Sequence, residues 1–115
     1  MNAVSQWLSS QIFVAFDTET TGMWAPVHRL VEIGGVRFSI EGGTLGSFSE
    51  LIHPQRAMPP EVIPIHGITD NMVAGADTAD NVLLRFGEFC GDAILIAHNA
   101  PFDLSFLVFV DELTK

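Results

Sequence analysis

The chain has 115 residues, 48% of them hydrophobic and 17% charged, a size and composition that allow one domain with a real core and exclude a disordered segment. Its formal net charge is −9, and Arg29, Arg37, Arg56, Arg85 and Lys115 are the whole basic complement. That excludes a grip on long nucleic acid through a stripe of Lys and Arg, so any nucleic-acid substrate would be held over a few nucleotides at a terminus, with metal ions supplying the positive charge.

Residues 1–11 read as a loose or amphipathic lead-in anchored by Trp7 and Leu8. Residues 12–16 form a continuous apolar run of strand type, which suits a central strand buried on both faces. It ends in Asp17-Thr18-Glu19, after which Thr20-Thr21-Gly22 lets the backbone turn. Residues 30–40 read as a second strand through Val31, Ile33, Val36, Phe38 and Ile40. Glu41-Gly42-Gly43-Thr44 supplies a hairpin turn, and 45–52 the returning strand. The opening is therefore an antiparallel meander of three strands.

Pro60 can start a short helix with Glu61 in its first turn, which is stopped near Pro64 to Gly67. Thr69 to Val73 allows another short turn. Asp77 or Thr78 can cap a longer helix running to about Cys90, with Val82, Leu83, Phe86, Phe89 and Cys90 spaced at threes and fours so that one face covers the sheet. Residues 93–97 form the fourth strand, and a helix follows from Ala100, giving the order β-β-β-α-β-α. Residues 106–110 are apolar on every side, so residues 104–110 are expected to be covered from outside or to self-associate. Cys90, the lone cysteine, excludes an intrachain disulfide and reads as a small buried apolar side chain. No basic stretch precedes an apolar one at the N-terminus, and no apolar run approaches the roughly 18 residues of a membrane span, which makes a soluble cytoplasmic protein the expectation.

The chemistry begins with Asp17 and Glu19. Residues i and i+2 of a strand share a face, so two carboxylates two apart can present oxygens to one point. The fourth strand again ends in polar residues, His98-Asn99, and leads to Asp103. Three carboxylates at two strand ends make a candidate cation site. Blander roles stand beside this one. An acidic pair after a strand is often a solvated turn, His98 and Asn99 can cap the helix behind them, His66 can be part of a turn, and His28 and His53 can be loop residues. Trp24 can stack on a base or pack on its loop, and the phenylalanines of 102–109 read as core.

Several segments together resemble one family. They are Phe16-Asp17-Thr18-Glu19-Thr20-Thr21-Gly22, then Val31-Glu32-Ile33-Gly34-Gly35-Val36, His53-Pro54, Ile65-His66-Gly67-Ile68-Thr69-Asp70, and Ala97-His98-Asn99-Ala100-Pro101-Phe102-Asp103. In this order they resemble the DnaQ-like (DEDD) 3′-to-5′ exonucleases, whose members include proofreading subunits of DNA polymerases. The resemblance implies an α/β, ribonuclease H-like fold and two Mg²⁺ or Mn²⁺ ions, a choice that hard oxygen ligands suit. It implies that Asp17 and Glu19 hold the catalytic ion or ions and that Asp103 holds or orients the second. It also implies that Thr20, Thr21, Gly22, Met23, His66, Asn99 and Phe102 surround the terminal nucleotide.

The family's third motif, a histidine followed five residues later by an aspartate, has no counterpart. No histidine follows His98, and Asp111 comes too soon after Asp103. Residues 1–115 are thus expected to be the N-terminal two thirds of a single exonuclease domain. The function this implies is metal-dependent removal of nucleoside monophosphates from a single-stranded or frayed DNA 3′ end, in proofreading or repair beside a polymerase subunit. RNA trimming by the same motifs, and a non-catalytic nucleotide- or metal-binding module associated with a polymerase, are the alternatives.

Overall fold

The computed structural model describes residues 2–25, 28–97, 102–103 and 105–107. Helix α1 spans Ala3–Ser9 and is capped by Asn2, whose side chain accepts from Ser5 N at 2.8 Å. The sheet is built from β1 (Phe13–Thr20), β2 (Leu30–Ser39) and β3 (Gly43–Leu51), with β4 (Ile94–Ile96) added later. Its order is β3-β2-β1-β4. The first three strands form the expected antiparallel meander, and β4 lies parallel to β1.

Strand β1 runs further than its apolar residues alone indicate. It continues through Asp17 and Glu19 to Thr20, because β2 offers a partner at each step, with Asp17 opposite Gly34 and Glu19 opposite Glu32. The acidic pair therefore sits within a strand and not beyond its end. The ladder shifts register between Glu19 and Thr20, where the chain leaves the sheet.

Between β3 and β4 come a 3₁₀ turn (Pro60–Val62), α2 (Ile63–His66), α3 (Asp70–Val73) and α4 (Ala79–Cys90). Gly67 ends α2 at φ 73°, a left-handed conformation that glycine adopts without steric cost. Helix α4 lays Val82, Phe86 and Cys90 on one face of the sheet, with the Phe86 ring 5.7 Å from Phe16 and 5.5 Å from Phe48. At the other end of α4, Arg37 on β2 donates to the carbonyls of Phe89 (2.9 Å) and Cys90 (3.0 Å), two acceptors a helix end leaves over. Burial pushes the Cys90 thiol up, as suits an inert core residue.

Two clusters make the core. The larger joins Val14, Phe16, Ile33, Ile52, Phe86 and Phe106, and the smaller joins Val31, Met58, Ile68 and Val73 beneath α2 and α3. Residues 102–103 and 105–107 are helical. Phe106 is only 2% exposed and meets Phe102 edge-to-face at 5.1 Å, while Leu107 packs against the same cluster. This corrects part of the expectation for residues 104–110: Phe106 is covered by the chain's own core and Leu107 partly so. Leu104 and residues 108–110 lie outside the described residues. Among the described residues no helix is long and apolar enough to cross a membrane.

Candidate functional site

The face of the sheet away from α4 carries an open cavity of about 450 Å³, lined by Asp17, Glu19, Glu32, Gly34, Ser49 and Ile96 among others. The alternation of β1 explains which residues reach it. Val14, Phe16 and Thr18 are buried, whereas Ala15, Asp17 and Glu19 alternate with them and line the opening, which Phe16 also borders. Gly34 lies directly across from Asp17, and a Cβ there would meet only the Phe48 carbonyl at 3.6 Å. The chain's own packing does not require glycine at that position; its absent side chain keeps the surface beside Asp17 low.

Asp17 and Glu19 thus share one face, as the spacing requires. Glu32, which the sequence reading did not single out as a site residue, joins them. It stands opposite Glu19 in the antiparallel ladder and lines the same cavity. The period of two in Glu32-Ile33-Gly34-Gly35-Val36 held that information, but only the strand register turns it into a contact with Glu19. Like charges directly opposite one another are unfavourable. Accordingly, Glu19's carboxyl is held above the usual value by burial first and then by the charge of Asp17. His66 pulls it down, and Glu32 and Asp103 push it further up. Negative charge accumulates here beyond what the protein neutralises, which fits oxygen donors for a hard divalent cation.

Asp103 is placed differently. It is 3% exposed and accepts a short hydrogen bond from the Thr18 hydroxyl, on the side of β1 opposite to Asp17 and Glu19. Among the described residues no three His, Cys, Asp or Glu side chains stand close enough to share a metal ion. The structure therefore brings Asp17 and Glu19 together and sets Asp103 behind the strand, near enough for its charge to reach Glu19.

The other expected site residues divide. Thr20 and Thr21 are buried, and their hydroxyls shape the turn: Thr20 Oγ1 donates to Gly22 O at 2.5 Å, and Thr21 Oγ1 accepts from Arg29 N at 2.9 Å. Met23 is exposed beside them. His66 Nδ1 accepts from Ile68 N at 3.0 Å, which assigns the proton of the neutral ring to Nε2. That Nε2 is buried without a hydrogen-bond partner among the described residues, close enough to Glu19 to affect it. Phe102 is half-buried against the core. Asn99, like His98, lies outside the described residues. His28 and His53 are loop residues whose Nδ1 atoms accept from Trp24 N and Gln55 N.

A three-stranded antiparallel meander, a helix across one face, a fourth strand parallel to the first and an acidic pair on the central strand define the ribonuclease H-like class. A family model described as exonuclease matches residues 14–115, and the chain belongs to that family. It is 45% identical over 95 residues to the DNA polymerase III subunit epsilon of Treponema pallidum, a match covering 83% of this chain and 44% of the relative. It is 41% identical over 95 residues to a PolC-type DNA polymerase III of Clostridium perfringens, covering 83% of this chain and 6% of the relative. Among solved structures, exonuclease X in complex with 5′ overhanging duplex DNA is 33% identical with a TM-score of 0.69, over 82% of this chain and 52% of that one. The nuclease domain of 3′hExo, a DEDDh family member bound to rAMP, is 21% identical with a TM-score of 0.77, over 90% of this chain and 60% of that one, and shows the shared fold. The chain thus spans less than half of the T. pallidum relative and about half of exonuclease X.

Proposed function

We propose that this chain is the N-terminal part of a metal-dependent 3′-to-5′ exonuclease domain that releases nucleoside monophosphates from a single-stranded or frayed DNA end. The observation that carries the reading is the pairing of Asp17 and Glu19 on one open sheet face, with negative charge crowded around Glu19. Membership of the exonuclease family supports it. Asp17 and Glu19 would hold Mg²⁺ or Mn²⁺, and Asp103, which accepts from Thr18, would help to orient a second ion. The ions, when bound, supply charge stabilisation at the terminal phosphodiester and lower the pKa of water.

The remaining work falls to the chain's own groups. Met23 and the Thr20–Gly22 turn would border the terminal nucleotide, and the buried Nε2–H of His66 offers that nucleotide a hydrogen bond. The histidine and aspartate of a third motif do not occur after Asp103 in these 115 residues in the required spacing, so the general base is proposed to come from further sequence of the same domain. Likeness to polymerase III subunits supports work beside a polymerase. The test is nucleotide release from single-stranded DNA in Mn²⁺ by the full protein carrying this chain. Release that is lost in Asp17→Ala supports the reading, and release that is unchanged contradicts it.

A further inference from the structure

The loop between β1 and β2 is closed at its base. Thr21 N donates to Arg29 O at 2.8 Å, and Arg29 N donates to Thr21 Oγ1 at 2.9 Å. Nearer its tip, Trp24 N donates to His28 Nδ1 at 3.2 Å, and His28 N donates to Trp24 O at 2.8 Å. The His28 ring fills the space over Gly22, where a Cβ would fall 2.3 Å from it. The backbone of Trp24 is therefore held from both sides, yet its indole remains 63% exposed. A large aromatic side chain kept in water on a braced loop is poised to cover something flat.

Charge gives a second, independent observation. Arg37 serves the end of α4, and Arg85 pairs with Glu50 at 2.8 Å and Asp77 at 3.1 Å. Arg29 and Arg56, which have contacts of their own, stand elsewhere, and Arg29 donates from its guanidinium to the His28 carbonyl at 3.2 Å. Arg29 immediately precedes β2, and Arg56 follows β3 after Ile52, whose N donates to Val31 O at 2.7 Å. The antiparallel register therefore sends both segments out at one end of the sheet, the end at which β1 stops at Thr20. Burial first, and then the charge of Arg56, lowers the pKa of the Arg29 guanidinium. In a chain of net charge −9 this is a local concentration of positive charge at the base of the loop that carries Trp24.

We infer that the Trp24 tip and the Arg29 and Arg56 pair seat the single-stranded DNA just 5′ of the terminal nucleotide, Trp24 stacking on a base and the guanidiniums meeting the adjoining phosphate. The inference rests on the exonuclease reading and adds to it a holding site for the strand outside the cavity. Stacking on an aromatic plane tolerates any base, and an arginine pair matches a phosphate's oxygens. Two cations suit an acidic chain that grips only the last few nucleotides.

The test uses the full protein carrying this chain, with Ca²⁺ in place of Mg²⁺ to slow turnover. Binding of 5′-fluorescein-labelled dT10 is followed by anisotropy at two salt concentrations, and dTMP is titrated as a mononucleotide competitor. Trp24→Ala and Arg56→Ala should each weaken dT10 by about 5-fold or more and leave dTMP unchanged, whereas Trp24→Phe should retain most of the affinity. Arg56→Ala should also flatten the slope of log K against log salt by about 0.7. Unchanged dT10 affinity in both variants, or an equal loss for dTMP, overturns the holding site while leaving the exonuclease reading intact. A wild-type protein that binds neither probe overturns both.

Discussion

Thr18 shows how much one hydroxyl carries. It is the residue between the two cavity carboxylates, and its side chain turns to the opposite side of β1 to donate to the buried Asp103. Thr18→Val keeps the shape of the side chain and removes that donor, leaving a buried carboxylate short of a partner. The expected cost is about 1–3 kcal/mol of stability, read from denaturant midpoints, with activity falling further as Asp103 loses its orientation. Glu19 makes a separate prediction about pH. Its carboxyl is held above the ordinary value of 4.5 in the folded chain, so the folded state binds that proton more tightly than the unfolded chain does. Stability from this group is therefore present at low pH and is lost as pH rises from the ordinary value through the raised one. Glu19→Gln should melt higher than wild type at neutral pH, and the advantage should vanish below about pH 4. Added Mg²⁺ should raise the wild-type melting temperature and raise that of Glu19→Gln less.

Elements were legible in the sequence where periodicity and caps speak for themselves. The stretch from Val82 to Cys90 gives α4 its apolar stripe, Thr78 precedes it, and Glu41-Gly42-Gly43 marks the hairpin that joins β2 to β3. Strand β1 was less legible, because Asp17-Thr18-Glu19-Thr20 has no apolar pattern and is held in the sheet by its ladder with β2. The role of Glu32 was hidden for the same reason: it depends on register, and register depends on where two strands meet. The contact between Thr18 and Asp103 joins residues 85 apart and has no local signature. The closing helical segment is legible only in part, since an all-apolar run does not say which side packs inward. Phe106 supplies the answer and a test. Phe106→Ala should cost about 3–5 kcal/mol in urea unfolding, as for other buried aromatic truncations. A change within 0.5 kcal/mol, about what an ordinary surface substitution gives, would return that segment to the uncovered state the sequence suggests.

At the scale of the molecule the sheet separates two tasks. One face is closed by α4 and the aromatic cluster of Phe16, Phe48, Phe86 and Phe89, which fixes β1 in place. The other face stays open around Asp17, Glu19 and Glu32. Family membership was legible because the motifs occur in the right order along nearly the whole chain, and order is a property of sequence. The completeness of the catalytic set is a property of the whole domain. The 115 residues alone, without a third-motif histidine and aspartate, should release little nucleotide from single-stranded DNA in Mn²⁺ compared with an exonuclease domain that carries all three motifs.

The central claim is that Asp17 and Glu19 form the metal-holding pair of a 3′-to-5′ exonuclease. The most direct measurement follows Mn²⁺-dependent product release from single-stranded DNA labelled at either end, comparing the full protein with its Asp17→Ala variant. The account predicts that labelled mononucleotide appears at the earliest times only from the 3′-labelled strand, and that Asp17→Ala lowers the rate at least about 100-fold. Release that begins at the 5′ end, or a rate unchanged in Asp17→Ala, would contradict it.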